Sequence, residues 1–488
     1  MMTPELNVGV VGGGLVGALE ACLLAKRGFK VTLFEGRHDG RNEIGYFGRS
    51  INLAISHRGI SALQRLNLEK IVTEQAIPMK ARMIHNVNGK LNEIPYDPDG
   101  RCINSIERAK LNNYLLNEAE QRYNVKILFN HKLVDMDANK GELLFRIRDK
   151  NKGDSSDNQL HRYSFDLILG CDGSKSSVRN LLARQTQLEF SQSYIEHGYL
   201  ELRIDPSKNG SFKMKPNYLH IWPRGKYMMI ALPNQDHTFT CTLFMPYDIL
   251  DKISEPEEAI QFFQLNFPDS IDLIGEEQIR TVLSTSRPSP LISIKCKPYF
   301  YKDKVVLLGD SAHAMVPFYG QGMNCGFEDC LVLDEMLDKY LSQNSLVNVS
   351  SLSVTSVDSI ANKSNDFDII TNDAKVSIGK ALEEYSAIRC PNGQAMCDLA
   401  MYNYIEMRDL VNTWSFRARK YLDDILYRLF PNRWIPLYTM VTFSRIPVHE
   451  CVARRKRQDE LLRKIRLICL YTPLSAAALF FSFTFLHV

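Results

Sequence analysis

The most informative stretch of this sequence is Val305-Val306-Leu307-Leu308-Gly309-Asp310, which is followed ten residues later by Gly320-Gln321-Gly322-Met323-Asn324-Cys325-Gly326. The apolar run predicts a buried strand ending at Asp310, where a carboxylate can accept hydrogen bonds from sugar hydroxyls. The glycine-rich turn predicts the start of a helix, whose unpaired N–H groups can face a pyrophosphate or the polar edge of a cofactor ring. The stretch therefore indicates a nucleotide site more elaborate than a single phosphate loop.

A second nucleotide-binding element lies at the N-terminus. Asn7-Val8-Gly9-Val10-Val11 predicts a short buried strand, and it runs into Gly12-Gly13-Gly14-Leu15-Val16-Gly17, which matches the G-x-G-x-x-G pattern. In that pattern Gly12 makes a tight turn, Gly14 lets the backbone approach a pyrophosphate, and Gly17 allows close packing of helix on strand. Residues 30–34 predict the next strand, and Glu35 at its end follows Gly12 by 23 positions. A carboxylate at that offset binds an adenosine ribose and favours an unphosphorylated one.

A third element covers residues 165–173, where an apolar strand ends in Cys171-Asp172-Gly173. A glycine turn between a strand and a helix also occurs without a ligand, so the N-terminal element alone is weak. The three elements in this order are specific, and NAD-dependent dehydrogenases lack the one at Gly309-Asp310. We therefore predict a bound FAD on a Rossmann-like fold.

Composition limits the class of protein. The 488 residues are 45% hydrophobic and 24% charged, which suits a globular chain of two or three domains. The formal net charge is only +3, and most of the excess lies in residues 449–466, where seven Lys and Arg accompany three acidic residues. This charge distribution speaks against a nucleic-acid groove. The 11 cysteines are scattered without a C-x-x-C pair or a cluster of zinc spacing, so we expect reduced thiols in the cytosol and no metal site.

The two ends of the chain differ. The first six residues carry Glu5 and no cationic apolar leader, so we expect no cleaved signal peptide. Residues 467–488 contain no Asp, Glu, Lys or Arg, and as a helix they are long enough to cross a hydrocarbon core of about 30 Å. Because a basic cluster precedes it, this run predicts a transmembrane tail anchor with the body of the protein in the cytosol. A buried or interfacial helix is the alternative, favoured by Pro473 and several hydroxyl side chains.

The order of the glycine fingerprint, Asp172-Gly173 and Gly309-Asp310 resembles the single-component, FAD-dependent aromatic hydroxylases built like p-hydroxybenzoate hydroxylase. Further strings resemble one branch of that family, the kynurenine 3-monooxygenases: GRSINLA at 48–54, ARMIH at 81–85, NYLHIWP at 217–223, MYNYIEMR at 401–408 and IPLYTMVTFSR at 435–445. The resemblance covers nearly the whole chain.

The resemblance implies an FAD-dependent monooxygenase that hydroxylates L-kynurenine to 3-hydroxy-L-kynurenine in tryptophan catabolism, with NADPH as co-substrate and O2 as oxidant. The flavin then performs the chemistry, and no side chain is expected to be catalytic. The resemblance also implies a tail-anchored protein of the outer mitochondrial membrane that faces the cytosol. There is no second glycine fingerprint, so we expect NADPH to visit a surface groove without its own Rossmann domain.

Site residues follow from the resemblance. For the substrate it implies a set that holds the amino-acid head group and lines the ring: Arg82, Tyr96, Asn403, Tyr438, Phe318, Tyr319 and Gln321. For FAD it implies Gly12, Gly14, Val16, Gly17, Glu35, Arg37, Ala54, Arg108, Leu133, Asp172, Asp310, Met323 and Asn324. Arg82 is expected to meet the substrate carboxylate, because a guanidinium makes a two-pronged contact that Lys cannot copy. Without the family, a single Arg is more often a solvated cation.

We predict an α/β fold: a Rossmann-like FAD-binding domain with an inserted β-sheet substrate domain, a C-terminal helical region and a C-terminal transmembrane helix. The FAD domain is assigned to residues 1–75, 100–185 and 295–340, and the substrate domain to 76–99 and 186–294. Alternating strand signals at 227–232 and 238–244 support the inserted sheet. The Ser/Asn/Asp-rich residues 341–376 predict a disordered insertion, residues 377–466 a helical region, and residues 467–488 the membrane anchor.

Two other functions share parts of this pattern. A different flavin hydroxylase or epoxidase would carry the same FAD elements, although the set Arg82, Tyr96, Asn403 and Tyr438 favours a small zwitterionic aromatic substrate. A non-catalytic scaffold of the GDP-dissociation-inhibitor type would use the fold without the flavin. The intact flavin-contacting elements weigh against it.

Overall fold

The computed structural model describes residues 6–41, 52–147, 160–253, 255–351, 363–408 and 413–471. Its strands are β1 Asn7–Val11, β2 Lys30–Phe34, β3 Leu53–Ile55, β4 Ile77–Met79, β5 Ala81–His85, β6 Leu91–Pro95, β7 Ile103–Ile106, β8 Lys126–Leu128, β9 His131–Asp137, β10 Glu142–Ile147, β11 Leu160–Ser164, β12 Leu167–Gly170, β13 Glu189–Ile204, β14 Tyr218–Arg224, β15 Tyr227–Pro233, β16 Phe239–Pro246, β17 Ser289–Lys297, β18 Phe300–Tyr301 and β19 Val305–Leu307.

The helices are α1 Leu15–Lys26, α2 His57–Gln64, α3 Glu69–Glu74, α4 Arg108–Asn117, α5 Ser177–Ala183, α6 Tyr247–Leu250, α7 Pro256–Asn266, α8 Ile271–Ile274, α9 Glu276–Thr285, α10 Asp310–His313, α11 Gly322–Ser351, α12 Lys363–Arg408, α13 Trp414–Leu429, α14 Leu437–Phe443 and α15 Val448–Tyr471. A π-helical turn, Glu118–Arg122, and two 3-10 turns, Pro268–Ser270 and Pro317–Tyr319, join some of them.

The first sheet brings the three predicted nucleotide elements to one edge. Its six strands follow the order β18-β19-β12-β1-β2-β8. The strands β19, β12, β1, β2 and β8 run parallel to one another, and β18 pairs antiparallel with β19. Every residue of β12 and β19 is buried, as expected for a parallel sheet covered on both faces. Since β19, β12 and β1 are adjacent and parallel, the turns that follow them lie side by side. The predicted α/β, Rossmann-like architecture is confirmed.

The second sheet presents Arg82. Its seven strands follow the order β17-β13-β16-β15-β14-β5-β6, with antiparallel pairs except for the parallel pair of β5 with β14, which places Arg82 opposite Leu219. The strands predicted at 227–232 and 238–244 are β15 and β16, so those predictions are confirmed. Two three-stranded sheets, β3-β7-β4 and β11-β10-β9, flank these two.

The strands divide between the two large sheets in a discontinuous way. The first sheet uses strands from residues 7–34, 126–128, 167–170 and 300–307, whereas the second uses strands from 81–95 and 189–297. This is the arrangement that the proposed FAD-binding and substrate domains describe, although β17 runs three residues past the proposed boundary at 294. The domain boundaries themselves stay a prediction.

The disordered insertion predicted over residues 341–376 stays a prediction, and helical backbone is assigned at both of its ends. Helix α11 continues to Ser351 and helix α12 starts at Lys363, so both predicted ends of the insertion have helical backbone. The helices α11 and α12 contact each other. Residues 352–362 lie outside the described part of the chain.

The predicted transmembrane helix at residues 467–488 is wrong for the described chain. Within the six described ranges, no helix combines the length and the apolar character needed to cross a bilayer. Helix α15 ends at Tyr471, and its preceding turns carry the basic cluster of residues 454–466. The apolar end of α15, Leu467 to Tyr471, would span about 8 Å of a core about 30 Å thick. Residues 472–488 lie outside the described residues, and the outer-membrane location stays a prediction from the resemblance.

Candidate functional site

The glycine loop between β1 and α1 has the geometry of a phosphate cradle. Gly12 has a φ of +110°, and a Cβ atom there would lie 2.4 Å from the carbonyl oxygen of Cys171. A Cβ atom on Gly17 would lie 1.9 Å from the carbonyl oxygen of Gly12. Gly14 differs, because a Cβ atom there would meet nothing within 4 Å. Gly12 and Gly17 are thus required by packing, whereas Gly14 borders open space into which a ligand fits.

Glu35 closes the other side of this loop. One carboxylate oxygen accepts a hydrogen bond of 2.9 Å from the backbone N–H of Gly13, and the other accepts bonds of 2.9 Å from the backbone N–H and the Nε of Arg37. Burial raises the pKa of Glu35, but the hydrogen bonds and charge of Arg37 outweigh it, so the net pKa is lowered. An ionised carboxylate therefore lies beside the loop, where it can accept from ribose hydroxyls.

Asp310 begins α10 directly after Gly309, whose φ of +60° turns the chain at the end of β19. The Asp310 side chain is open to the cavity described below, yet it is surrounded by protein, and this burial raises its pKa although Arg108 lowers it. A carboxylate in this position can accept hydrogen bonds from a polyol chain, as the sequence predicts.

Asp172 links two of the predicted elements. Its Oδ2 accepts hydrogen bonds from the backbone N–H groups of Ser177 at 2.6 Å and Val178 at 3.1 Å, at the first turn of α5. Its Oδ1 accepts a bond of 3.2 Å from the hydroxyl of Ser311, which follows Asp310 in the chain. Asp172 therefore ties the turn after β12 to the turn after β19. Protein donors already occupy both of its oxygens.

One cavity of about 590 Å³ joins the glycine loop to the second sheet. Most of the predicted FAD and substrate residues line it: Gly12, Gly14, Val16, Glu35, Arg37, Ala54, Arg82, Tyr96, Arg108, Leu133, Asp172, Asp310, Phe318, Tyr319, Met323 and Tyr438. The cavity has the size of a small-molecule site. Its walls change along its length, from backbone and carboxylate groups at the loop to aromatic rings beside Arg82.

Three predicted residues support the wall of this cavity from behind. Asn324 accepts a hydrogen bond of 2.8 Å from the backbone N–H of Ser56 and donates one of 2.8 Å to the carbonyl oxygen of Ala54. Gln321 accepts a bond of 3.3 Å from the hydroxyl of Ser56. Gly17 packs against Gly12. Asn324 and Gln321 thus connect the glycine-rich turn before α11 to the start of α2.

Arg82 lies at the aromatic end of the cavity, and only 6% of it is exposed. Its Nη1 is 3.3 Å from the carboxylate of Glu406, and its guanidinium lies 5.1 Å from the ring centre of Tyr438 and 5.7 Å from that of Tyr96. Burial lowers the pKa of Arg82, but Glu406, Tyr438 and Tyr96 together raise it more, so the guanidinium stays charged. Its Nε finds no hydrogen-bond partner among the described residues. A buried donor left unpaired is costly, and a ligand acceptor would satisfy it.

Stacked aromatic rings surround this arginine. The ring centres of Tyr96 and Tyr438 are 5.3 Å apart, and the two rings are nearly parallel. The ring centre of Tyr319 lies 5.5 Å from that of Tyr438, and these two rings are also nearly parallel. Phe318, which belongs to the 3-10 turn Pro317–Tyr319, stacks on Tyr404 with 4.0 Å between the ring centres. The aromatic end is therefore an apolar slot with one cation, which suits a flat ring that carries an anionic group.

Asn403 lies behind this slot and outside the main cavity. Its amide donates a hydrogen bond of 2.7 Å to the carbonyl oxygen of Phe318, which fixes the 3-10 turn. Asn403 also lines a neighbouring cavity of about 500 Å³ that shares Arg82, Tyr96, Tyr319 and Tyr438 with the main one. The structure thus brings Asn403 to the predicted place but uses its amide to support a loop.

Sequence reasoning missed a buried set of charges beneath Gly309. The carboxylate of Asp329 accepts a bond of 2.8 Å from the Gly309 backbone N–H and lies 2.6 Å from Nε2 of His313 and 2.6 Å from Nε of Arg389. Burial lowers the pKa of His313, but the charges of Asp329 and Cys325 and the hydrogen bonds to them together raise it more, so the net pKa is raised. The available signal was the adjacent acid pair Glu328-Asp329 between Phe327 and the apolar run Cys330-Leu331-Val332-Leu333, because buried acids require partners.

Comparison with known proteins fits this geometry. Residues 5–345 match a family model described as an FAD binding domain. Kynurenine 3-monooxygenase of Anopheles gambiae is 44% identical over 466 residues, covering 95% of this chain and 87% of that protein. The enzyme of that name from Sus scrofa is 44% identical over 456 residues, covering 93% of this chain and 88% of that protein. The one from Caenorhabditis elegans is 43% identical over 469 residues, covering 94% of each.

Solved structures share the fold at lower identity. The tetrameric form of 2-methyl-3-hydroxypyridine-5-carboxylic acid oxygenase has a TM-score of 0.61 at 19% identity and covers 84% of this chain and 95% of its own. Pseudomonas aeruginosa PqsL in complex with 2-aminobenzoylacetate has a TM-score of 0.60 at 17% identity and covers 83% of this chain and 97% of its own. At such identities the likeness shows the fold alone.

Proposed function

The chain belongs to the FAD-binding-domain family and, within it, to the kynurenine 3-monooxygenases, and from this premise we propose that it hydroxylates L-kynurenine to 3-hydroxy-L-kynurenine with NADPH and O2. FAD is the bound cofactor, and when bound it supplies the reduction and oxygen chemistry that protein side chains lack. The work of the chain is therefore to bind, orient and shield.

The residues of the loop end fit FAD. The space beside Gly14 and the N-terminus of α1 would take the pyrophosphate, since backbone N–H groups and the helix dipole favour an anion there. Glu35 would accept from the adenosine ribose, and Asp310 from the ribitol hydroxyls. Arg37 and Arg108, at the same end, would contact the phosphates or the adenosine. Ala54, Val16, Leu133 and Met323 would supply apolar contacts.

The residues of the aromatic end fit kynurenine. Arg82 would pair with the amino-acid carboxylate, and the hydroxyls of Tyr96 and Tyr438 would bond to the same head group. Phe318 and Tyr319 would lie against the aniline ring. The single observation that carries this proposal is the buried Nε of Arg82, unpaired within the described chain, in the cavity that also holds the glycine loop.

Positioning suffices for the reaction, so no side chain is assigned as a nucleophile or base. The carbon to be hydroxylated is ortho to the aniline nitrogen, whose lone pair activates it. Holding the ring in one orientation inside a water-poor slot supplies the remaining requirement. Tyr96 and Tyr319 are buried and Tyr438 is half-buried. Desolvation by the surrounding protein raises the pKa of each hydroxyl, so these groups stay protonated and act as hydrogen-bonding groups.

The test measures product and reductant together. Purified chain loaded with FAD is incubated with L-kynurenine, NADPH and O2, and 3-hydroxykynurenine is quantified against NADPH consumed. We expect equal amounts of product and oxidised NADPH, and little NADPH oxidation without kynurenine. If the protein holds FAD and oxidises NADPH without forming 3-hydroxykynurenine, the substrate assignment is refuted and another flavin hydroxylase is indicated.

A further inference from the structure

Arg58 is a fully buried arginine that lies behind the aromatic end of the cavity. It belongs to α2, and only 1% of it is exposed. Its Nε donates a hydrogen bond of 2.8 Å to the carbonyl oxygen of Val441, and its Nη2 donates one of 2.5 Å to the carbonyl oxygen of Ile446. Its Nη1 is 2.6 Å from the carboxylate of Glu328. All three sides of the guanidinium are thus engaged.

The two carbonyl acceptors belong to the C-terminal end of α14 and the turn that follows it. A cation at this end of a helix satisfies carbonyl groups that lack an intrahelical donor, and it is favoured by the helix dipole. Helix α14 has only seven residues, and such a short helix is not stable without tertiary contacts. Its position therefore depends on the residues that hold its two ends.

The other end of α14 carries Tyr438 at its second residue. Tyr438 stacks on Tyr96 and lies under the guanidinium of Arg82 at 5.1 Å. Near this end, the hydroxyl of Thr439 donates a hydrogen bond of 3.0 Å to Asp97. One hydroxyl bond to the Asp97 carboxylate thus holds the end near Tyr438, whereas two bonds from a buried, ion-paired arginine hold the far end. The stronger attachment is the one made by Arg58.

The ion pair of Arg58 continues toward the turn after β19. Glu328 accepts from Arg58 with one oxygen and from Arg389 with the other, both at 2.6 Å. Arg389 in turn pairs with Asp329, which holds the Gly309 backbone N–H. Buried charges that share partners in this way have one low-energy arrangement, because breaking any pair leaves an uncompensated charge. This series of ion pairs, from Arg58 to Asp329, therefore fixes α14 relative to the end of β19, where Asp310 follows.

We propose that Arg58 is a positioning residue for substrate binding: it holds α14 so that Tyr438 stays in register with Arg82 and Tyr96. Arg58 does not line either cavity, and it acts through Tyr438. This proposal rests on the proposed function, because it assumes that Tyr438 contacts kynurenine.

The test is a double-mutant cycle between Arg58→Lys and Tyr438→Phe. Lys keeps the charge next to Glu328 but cannot reach both carbonyl groups at once, so α14 loses one of its attachments. We expect Arg58→Lys to raise the KM for kynurenine by about tenfold, with FAD content unchanged and kcat changed less than the KM. Tyr438→Phe alone should also raise the KM. In the Arg58→Lys background, its additional effect should fall to less than about twofold, because the hydroxyl is already displaced.

Arg65→Lys is the matched control. Arg65 directly follows α2, and its ion pairs with Asp334 and Asp338 have no link to α14. We expect no change in the kynurenine KM for this variant. Effects of Arg58→Lys and Tyr438→Phe that multiply independently, or an unchanged KM in FAD-loaded Arg58→Lys, would overturn the proposal.

A second variant covers the case in which Arg58→Lys does not fold. Glu328→Gln removes the ion pairs that Glu328 makes with Arg58 and Arg389 but leaves both carbonyl bonds of Arg58, and it should give the same coupling with Tyr438→Phe at a smaller size. If both variants lose FAD, Arg58 belongs to the framework of the fold and the positioning role is refuted. If the unmodified protein does not act on kynurenine, the proposed function fails first, and that result is separate from these outcomes.

Discussion

Replacing Arg82 by Met tests the substrate end of the cavity most sharply. Met matches the unbranched apolar stem of Arg and keeps its contact with the rings of Tyr96 and Tyr438, so packing is largely kept. Among the described residues, Arg82 is the one cation that lines both cavities, and the change removes it. It leaves the loop end, where FAD is proposed to bind, untouched.

The magnitude follows from the burial of Arg82, which is 6% exposed. Loss of a charge-assisted, buried hydrogen-bonded pair with a substrate carboxylate costs about 2 to 3 kcal/mol, which is about 30- to 150-fold in kynurenine affinity. Arg82→Lys should fall between Met and the unmodified protein, since Lys keeps the charge but loses the two-pronged contact.

Glu406 complicates the single substitution, because it loses its partner at 3.3 Å when Arg82 is removed. An uncompensated carboxylate beside the slot would itself repel the substrate carboxylate. Glu406→Gln combined with Arg82→Met removes that repulsion, so the double variant reports the loss of the Arg82 contact alone. We expect most of the loss in affinity to persist in the double variant.

The assay is the KM for kynurenine in NADPH oxidation, read beside the FAD content from the visible absorbance of the purified protein. The expected result is a KM raised at least about 30-fold with FAD content unchanged. An unchanged KM, or a KM restored to normal by Glu406→Gln, would refute the assignment of Arg82 to the substrate carboxylate.

Further predictions concern the loop, the pH dependence and the turn beside the slot. Gly17→Ala should prevent correct folding, because its Cβ would lie 1.9 Å from a carbonyl oxygen. Gly14→Ala should fold normally and weaken FAD binding by about tenfold or more. Thermal melting with and without FAD separates the two variants, and equal melting behaviour would contradict the loop geometry. Burial lowers the pKa of His220 from 6.5 to about 4, so the unfolded chain takes up a proton first as the pH falls. Protonation of His220 should therefore lower the free energy of unfolding by about 3 kcal/mol between pH values above 6.5 and pH values below 4. The free energy of unfolding of His220→Asn, measured with denaturant, should depend less steeply on pH. An identical slope in the two proteins would refute this role of His220. Asn403→Ala should raise the kynurenine KM and increase NADPH oxidation without product, because the Phe318 carbonyl loses its donor at 2.7 Å. The ratio of 3-hydroxykynurenine formed to NADPH oxidised measures this uncoupling. An unchanged ratio would contradict the role of Asn403 in supporting the 3-10 turn.

The residues at the loop end of the cavity could be predicted from the sequence because the patterns that indicate them are local. Gly17 is required by its contact with Gly12 five residues earlier, Gly12 turns the chain with a positive φ, and Glu35 follows its strand directly, so pattern and spacing are sufficient. The parallel sheet then brings three such local elements to one edge. The ligand contacts of these residues stay proposals, but their placement around one cavity followed from short stretches of chain.

The remaining features depend on contacts between distant parts of the chain. Arg58 bonds to carbonyl groups more than 380 positions away, and no periodicity marks such a partner. Asp172 was assigned to the cofactor by the resemblance, whereas its oxygens receive hydrogen bonds from the first turn of α5 and from Ser311. The membrane helix was predicted from the run of apolar residues that begins at 467. The described helix that enters this run, α15, begins at Val448 and is highly charged.

The central claim is that one cavity holds FAD at the glycine loop and kynurenine beside Arg82 at the same time. Its most direct test is a titration of the FAD-loaded protein with kynurenine in the absence of O2 and NADPH, followed by the visible absorbance of the flavin. The claim predicts a saturable change in the flavin spectrum that Arg82→Met shifts to much higher kynurenine concentrations. A protein that takes up no flavin, or a flavin spectrum that kynurenine leaves unchanged at every concentration, would contradict it.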